Sequence, residues 1–311
     1  MSFASTGHGR RDGASSVESG RARPIILSDI RLIPYLVVLT IAFIWPLARL
    51  MTYVAASNLH SYVLLVPGIA AYLLYERATL LPKPGRPAAP ATFILAFVGA
   101  MALAASLVWR SRLSLNDYLG LIALAYVAFV AVGGFWFRGS RWMRAAAFPF
   151  AFLLFLVPLP DTTVDAIEKG SQFASAEAAA GFYHLAGTPL VRQGLRFELP
   201  NITLVVAQEC SGIRSSLVLF ITSIIAANVF LSSTWRRLAL VLFVIPLGII
   251  RNGFRVWVLG ELCIRVGTHI LDSALHHRGG PIFFALSLGP FFLVLWWLRR
   301  GERQTPMSKA A

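Results

Sequence analysis

Cys210 and Arg214 lie one helical turn apart in the run Val205 to Ser216, VVAQECSGIRSS, where an acidic loop gives way to an apolar stretch from Ile213 to Leu231. With Ser211 as the cap of a helix there, Cys210 sits at its positive N-terminal end beside a guanidinium. Both features favour a thiolate, the form in which cysteine is a nucleophile. Glu209 acts the other way, because a neighbouring carboxylate raises a thiol pKa. Cys263, in an apolar setting, reads as a small hydrophobe.

Two other motifs supply what a thiolate would need. Asn252 to Arg255 reads NGFR, and His276 to Phe284 reads HHRGGPIFF. An arginine stays charged and can stabilise a tetrahedral oxyanion, while a histidine exchanges protons near neutral pH. The residues therefore suggest Cys210 as nucleophile, Arg255 as transition-state stabiliser and one histidine among His276, His277 and His60 as general acid and base. Attack on a carbonyl would give a thioester. Water resolving it makes a protease and an amine or hydroxyl makes a transferase, and the sequence leaves that choice open.

These residues must be positioned by membrane helices. The chain is 57% hydrophobic, against about 45 to 50% in soluble domains, with a mean hydropathy of +0.69. At about 20 apolar residues per crossing, eight runs are expected to span. They are Leu32 to Ala55, Leu59 to Tyr75, Ala91 to Trp109, Leu115 to Phe137, Ala145 to Leu159, Ile213 to Leu231, Leu238 to Trp257 and Pro281 to Leu298. The expected architecture is an all-α polytopic bundle over residues 31–300. Residues 1–30, rich in Gly, Ser and Arg, and residues 301–311 form tails on the cytoplasmic side.

Lys and Arg concentrate in the first tail, in the loops after spans two, four and six, and in the C-terminal tail. The positive-inside rule then places both termini in the cytoplasm, as an even span count requires. The loop 160–208 falls outside, the acidic part of the chain with Asp161, Asp165, Glu168, Glu177 and Glu198. Its first part, Thr163 to Leu185, reads as an Ala-rich amphipathic helix at the interface. Its second, Gly187 to Val206, alternates in polarity and reads as a small extended or hairpin segment.

Along span seven Arg255 comes to lie near the outer headgroups, with Arg251 one turn deeper. His276 and His277 precede Pro281, which suits the first turn of span eight on that same side. Cys210 shares the depth. Three separate elements thus bring a Cys, an Arg and a His to one membrane face.

Together and in order, FPFAFLLFLVPLP at Phe148 to Pro160, VAQECSGIRSS, NGFR and HHRGGPIFF resemble the exosortase and archaeosortase family of integral-membrane transpeptidases. NLHSYVLLVP at Asn58 to Pro67 is similar to the family's early His-Gly-x-Leu-x-Pro element, with Ser61 in the glycine position. The resemblance covers roughly residues 30 to 300. It implies a cysteine enzyme that acts on exported proteins bearing a C-terminal sorting signal: a short polar motif, often Pro-Glu-Pro, then a transmembrane helix and a basic tail. It implies transfer to a surface acceptor, lipid-linked or polysaccharide. It also places the catalytic Cys, Arg and His on Cys210, Arg255 and His276, the last from His-x-x-x-Gly spacing to Gly280. Arg214, Ser211, Gly212, Asn252 and Gly280 are the supporting positions.

Six histidines and two cysteines without zinc-like spacing or HExxH imply no metal, and the lack of a phosphate-cradling loop implies no nucleotide cofactor. The net charge of +14 is expected to serve anchoring against anionic membrane lipid, not nucleic acid. The competing readings are a transporter or transferase for lipid-linked exopolysaccharide and a non-catalytic assembly component. Transporters place ionisable groups near the bilayer midplane, whereas here they gather at the outer rim.

Overall fold

The computed structural model describes residues 31–57, 59–200, 202–206, 212–267 and 280–303. Its helices are α1 (Leu32–Ala42), α2 (Ile44–Ala56), α3 (Val66–Glu76), α4 (Ala89–Val108), α5 (Leu115–Ala145), α6 (Ala147–Phe152), α7 (Asp161–Ala186), α8 (Ile213–Phe230), α9 (Thr234–Arg265) and α10 (Gly280–Arg303). The strands β1 (Val191–Gln193), β2 (Arg196–Leu199) and β3 (Ile202–Val205) form an antiparallel sheet in chain order. The all-α membrane bundle is therefore met, with one small sheet beside it.

Among the described residues, five helices are long and apolar enough to cross a membrane: α4, α5, α8, α9 and α10. The count rises to seven if each of two bent pairs is one span. α1 and α2 bend by 69° at Phe43, and the segment Ala147–Leu156 turns by 91° into α7. The second expected run does not form a full-length crossing, since Ser61–Glu76 is a 3₁₀ turn followed by α3. Sixteen residues at 1.5 Å each reach about 24 Å, short of the roughly 30 Å hydrocarbon core.

Three of the four hydrophobic clusters among the described residues bear on the site. Leu50, Val54, Val63, Leu73, Leu119 and Phe152 join α2, α3, α5 and α6. Leu219, Leu240, Val244 and Phe291 join α8, α9 and α10. The third joins α7 and the sheet to the second half of α9 through Ala176, Ala179, Tyr183, Phe197 and Val256. The amphipathic stretch Thr163 to Leu185 is indeed a helix, and the alternating segment after it forms three strands rather than a single hairpin.

α7 runs parallel to the second half of α9 at close range. Asn252 donates from Nδ2 to Ser175 Oγ at 3.0 Å, and Tyr183 donates to the carbonyl of Val256 at 3.4 Å. A Cβ on Gly253 would stand 2.9 Å from the Ala179 nitrogen. Small residues on both helices thus bring the backbones together, as membrane helices do without a hydrophobic force between them. Further along, Thr188 hydrogen-bonds Glu261. Cys263, expected beyond span seven, lies within α9 because that helix continues to Arg265, and it is buried there.

A polar clasp holds the other end of α7. Asn116 donates from Nδ2 to the Leu159 carbonyl at 2.7 Å and to Asp161 Oδ1 at 2.8 Å, and the Asp161 N–H donates to Asp117 Oδ1 at 3.0 Å. These bonds anchor the first turn of α7 on the first turn of α5, where Ser114 also caps Asp117 at 3.1 Å.

Candidate active site

The start of α8 is fastened to α9 by an arginine that the motifs alone did not single out. Arg251 is 6% exposed. One terminal nitrogen, NH2, donates to Ser215 Oγ at 2.7 Å, Ser216 Oγ at 3.0 Å and the Gly212 carbonyl at 3.3 Å. The other terminal nitrogen, NH1, is buried with no hydrogen-bond partner among the described residues.

Gly212, not Ser211, is the N-cap of α8, and no side chain caps that end. The physical reason is the backbone: Gly212 has φ +68°, a left-handed conformation that a residue with a Cβ resists. A Cβ there would also come 2.7 Å from Asn252 Oδ1. The glycine therefore serves both the turn and the close contact with NGFR. The local chemistry that hints at it in the sequence is the Ser-Gly-x-Arg-Ser-Ser run, since two hydroxyls a turn inside a helix invite a buried donor.

Arg255 follows Arg251 by four residues, so it stands one turn further along on the same face of α9. It is half-buried. α10 begins at Gly280 at this level too, as the ring of Phe283 meets that of Phe254 edge-on at a centroid distance of 6.3 Å. The starts of α8 and α10 therefore abut α9 at residues 252 and 254, flanking Arg255. Arg214, by contrast, is exposed in the first turn of α8, so helix packing falls to Arg251 instead. Cys210, Ser211, His276 and His277 lie outside the described residues.

His60 sits in the turn before Ser61–Leu65 and is 4% exposed. Its Nδ1 lies 3.3 Å from Ser57 Oγ, its ring lies between those of Tyr53 and Tyr62, and its buried Nε2 has no hydrogen-bond partner among the described residues. Burial lowers its pKa, with Asp161 opposing. A neutral imidazole with one free nitrogen is the form a general base needs.

A cavity of about 590 Å³ opens beside the start of α8. Tyr62, Leu159, Ile213, Ser216, Leu217 and Ile249 contribute to its wall, so it touches His60's neighbour, the first turn of α8 and the face of α9 just below Arg251.

A family model described as transmembrane exosortase (Exosortase_EpsH) matches residues 48–293. The chain belongs to the transmembrane exosortase family. The match runs from α2 to α10 and contains all four motifs of the site. No curated protein and no solved structure matches the chain. As an exosortase it is an integral membrane protein, and its family is one of transpeptidases. The exosortase brings Gly212, Asn252 and Arg251 into one contact; Gly280 starts α10, whose first turn meets α9 through Phe283 and Phe254, while Arg214 stands apart.

Proposed function

We propose that this exosortase is a membrane-embedded cysteine protease or transpeptidase that cleaves C-terminal sorting signals of exported proteins. The observation that carries the reading is the docking of α8's first turn on α9, one turn below Arg255. Covalent geometry keeps residue 210 within about 7 Å of residue 212, so the cysteine motif and NGFR belong to one site. Residue 276 is held within about 14 Å of Gly280 by the same limit.

In this mechanism the Cys210 thiolate attacks the scissile carbonyl carbon. Arg255 stabilises the oxyanion, and the C–N bond breaks as the leaving amine takes a proton from His276. The thioester then passes its acyl group to water, or to an amine or hydroxyl on a lipid-linked or polysaccharide acceptor. The substrates are exported proteins with a polar motif, a transmembrane helix and a basic tail. The site faces the outer side of the cytoplasmic membrane.

The test is processing of such a substrate in cells carrying Cys210→Ala. Full-length substrate should accumulate, and it should co-purify with the variant. Continued cleavage would remove the mechanism, and loss of glycan export with cleavage intact would favour the transport reading.

A further inference from the structure

We infer that a bilayer phospholipid with an anionic headgroup seats in the cleft between α2 and α4, its phosphate against Arg49. Both helices pack on α5, and a cavity of about 250 Å³ lies between them at the Phe43 bend. Trp45 and Arg49 wall it on one side, Ser106 and Leu107 on another, and α5 contributes Tyr118. The volume is below the roughly 300–1,000 Å³ that encloses a whole small molecule. It suits a headgroup whose chains stay in the bilayer, and the exposed side chains of Trp45 and Leu107 leave it open to lipid.

The helix ends set its depth. Arg49 lies seven residues, or about 10 Å, before the end of α2 at Ala56. Leu107 is in the last turn of α4 and Tyr118 in the first turn of α5. Exposed Trp45 and Trp109 flank this level as interfacial aromatic residues do. The cavity therefore sits where headgroups meet acyl chains.

Charge names the occupant. Arg49 is an ionisable residue within a bent apolar pair, and its guanidinium forms part of the cavity wall. Such residues mark ligand sites when no protein group pairs with them. No residue of the wall is acidic, and among the described residues Arg49 takes part in no ion pair. Asp117, next to Tyr118 in the chain, already accepts from the Asp161 N–H at 3.0 Å. The Ser106 hydroxyl is donated to the Leu103 carbonyl at 2.7 Å. Arg49 and Tyr118 remain as donors, and a phosphate accepts from both.

The same wall disfavours a zwitterionic lipid. A choline or ethanolamine cation would look for an aromatic face. The Trp45 ring already carries the Arg49 guanidinium at 5.9 Å, and the Tyr118 ring carries that of Arg110 at 4.5 Å. Arg110 does not line the cavity, but it adds a second positive charge beside a ring that does. A headgroup of net negative charge meets attraction from both.

The experiment gives the full-length protein in detergent equal amounts of phosphatidylglycerol and phosphatidylcholine with matched chains, and counts retained lipid by native mass spectrometry. Wild type should hold one phosphatidylglycerol with about tenfold preference. Arg49→Gln should bring the two lipids near parity, and Arg110→Gln should lower the preference by about threefold. Arg141→Gln, an exposed arginine near the far end of α5, should leave it unchanged. A photo-crosslinking residue at Leu107, in an otherwise unaltered chain, should capture phosphatidylglycerol over phosphatidylcholine. At Phe97, an exposed side chain of α4 that does not line the cavity, it should capture both equally. This second reading decides the matter should Arg49→Gln not fold. Equal retention of both lipids by wild type, a preference kept by Arg49→Gln, or the same loss in Arg141→Gln would overturn the inference. So would displacement of phosphatidylglycerol by inorganic phosphate or by a polyprenyl phosphate at equal concentration. None of these outcomes touches the cysteine mechanism, which is judged by cleavage in Cys210→Ala.

Discussion

Arg251 and Arg255 lie one turn apart on α9 and are assigned different work. Arg251 spends NH2 on Gly212, Ser215 and Ser216, so its first task is to hold the start of α8. Arg255→Lys keeps charge but loses the fork, and should lower turnover by about 10²-fold while substrate still co-purifies, measured by single-turnover cleavage. Arg251→Lys should instead loosen the start of α8, read as faster hydrogen exchange over residues 213–219. Single alanine exchanges of His276, His277 and His60 should give one large loss and two small ones, with His276 the large one. His60 also predicts a pH effect. Its folded pKa lies below the ordinary histidine value because burial disfavours the charged ring. The stability it contributes is therefore present above that ordinary value and lost as pH falls. The unfolding midpoint in detergent should drop more between about pH 7.5 and about pH 5.5 in wild type than in His60→Gln.

Between α7 and α9, the fit is set by atoms too small to register in a hydropathy profile. Gly253→Leu must push its side chain into Ala178 and Ala179, and overpacking of this kind costs about 1–3 kcal/mol. Membrane yield and thermal stability should both fall. Asn252→Ala loses the bond to Ser175, for which about 1 kcal/mol is expected between membrane helices. The amphipathic helix was legible in the sequence because its Ala-rich period is local. Its partner was not, since Ser175 and Asn252 are 77 residues apart and nothing local names the face that α7 packs on. The cap of α8 was misplaced for a related reason. A serine before the apolar run fits the capping preference, but the backbone turn required a glycine, and that need appears only with Asn252 in place. Arg251 was placed one turn deeper than Arg255 and given no role, and only the two hydroxyls of Ser215 and Ser216 show it turned inward.

At the scale of the whole molecule, the bundle was legible from apolar run length, and the number of crossings was not. Run length cannot distinguish a straight span from one broken at Phe43 or after Leu156, since the bends of 69° and 91° depend on tertiary packing. The site's place at one end of the bundle follows from the fold: the sheet, the start of α8 and the start of α10 all gather along the second half of α9. Which side of the membrane that end faces is a matter of charge. Lys and Arg cluster at the opposite end, with Arg236 and Arg237 in the first turn of α9 and Arg299 and Arg300 in the last turns of α10. Glu302 binds the N–H groups of Ser232 and Ser233 there and so ties α10 to the α8–α9 turn. By the positive-inside rule that end should be cytoplasmic. A reporter active only outside the cytoplasm should be silent after Ala311. Inserted at Gly194, in the β1–β2 turn where nothing lies within 4 Å of its Cβ position, it should be active. The reverse pattern would put Cys210 on the cytoplasmic side, where a substrate's exported polar motif never arrives.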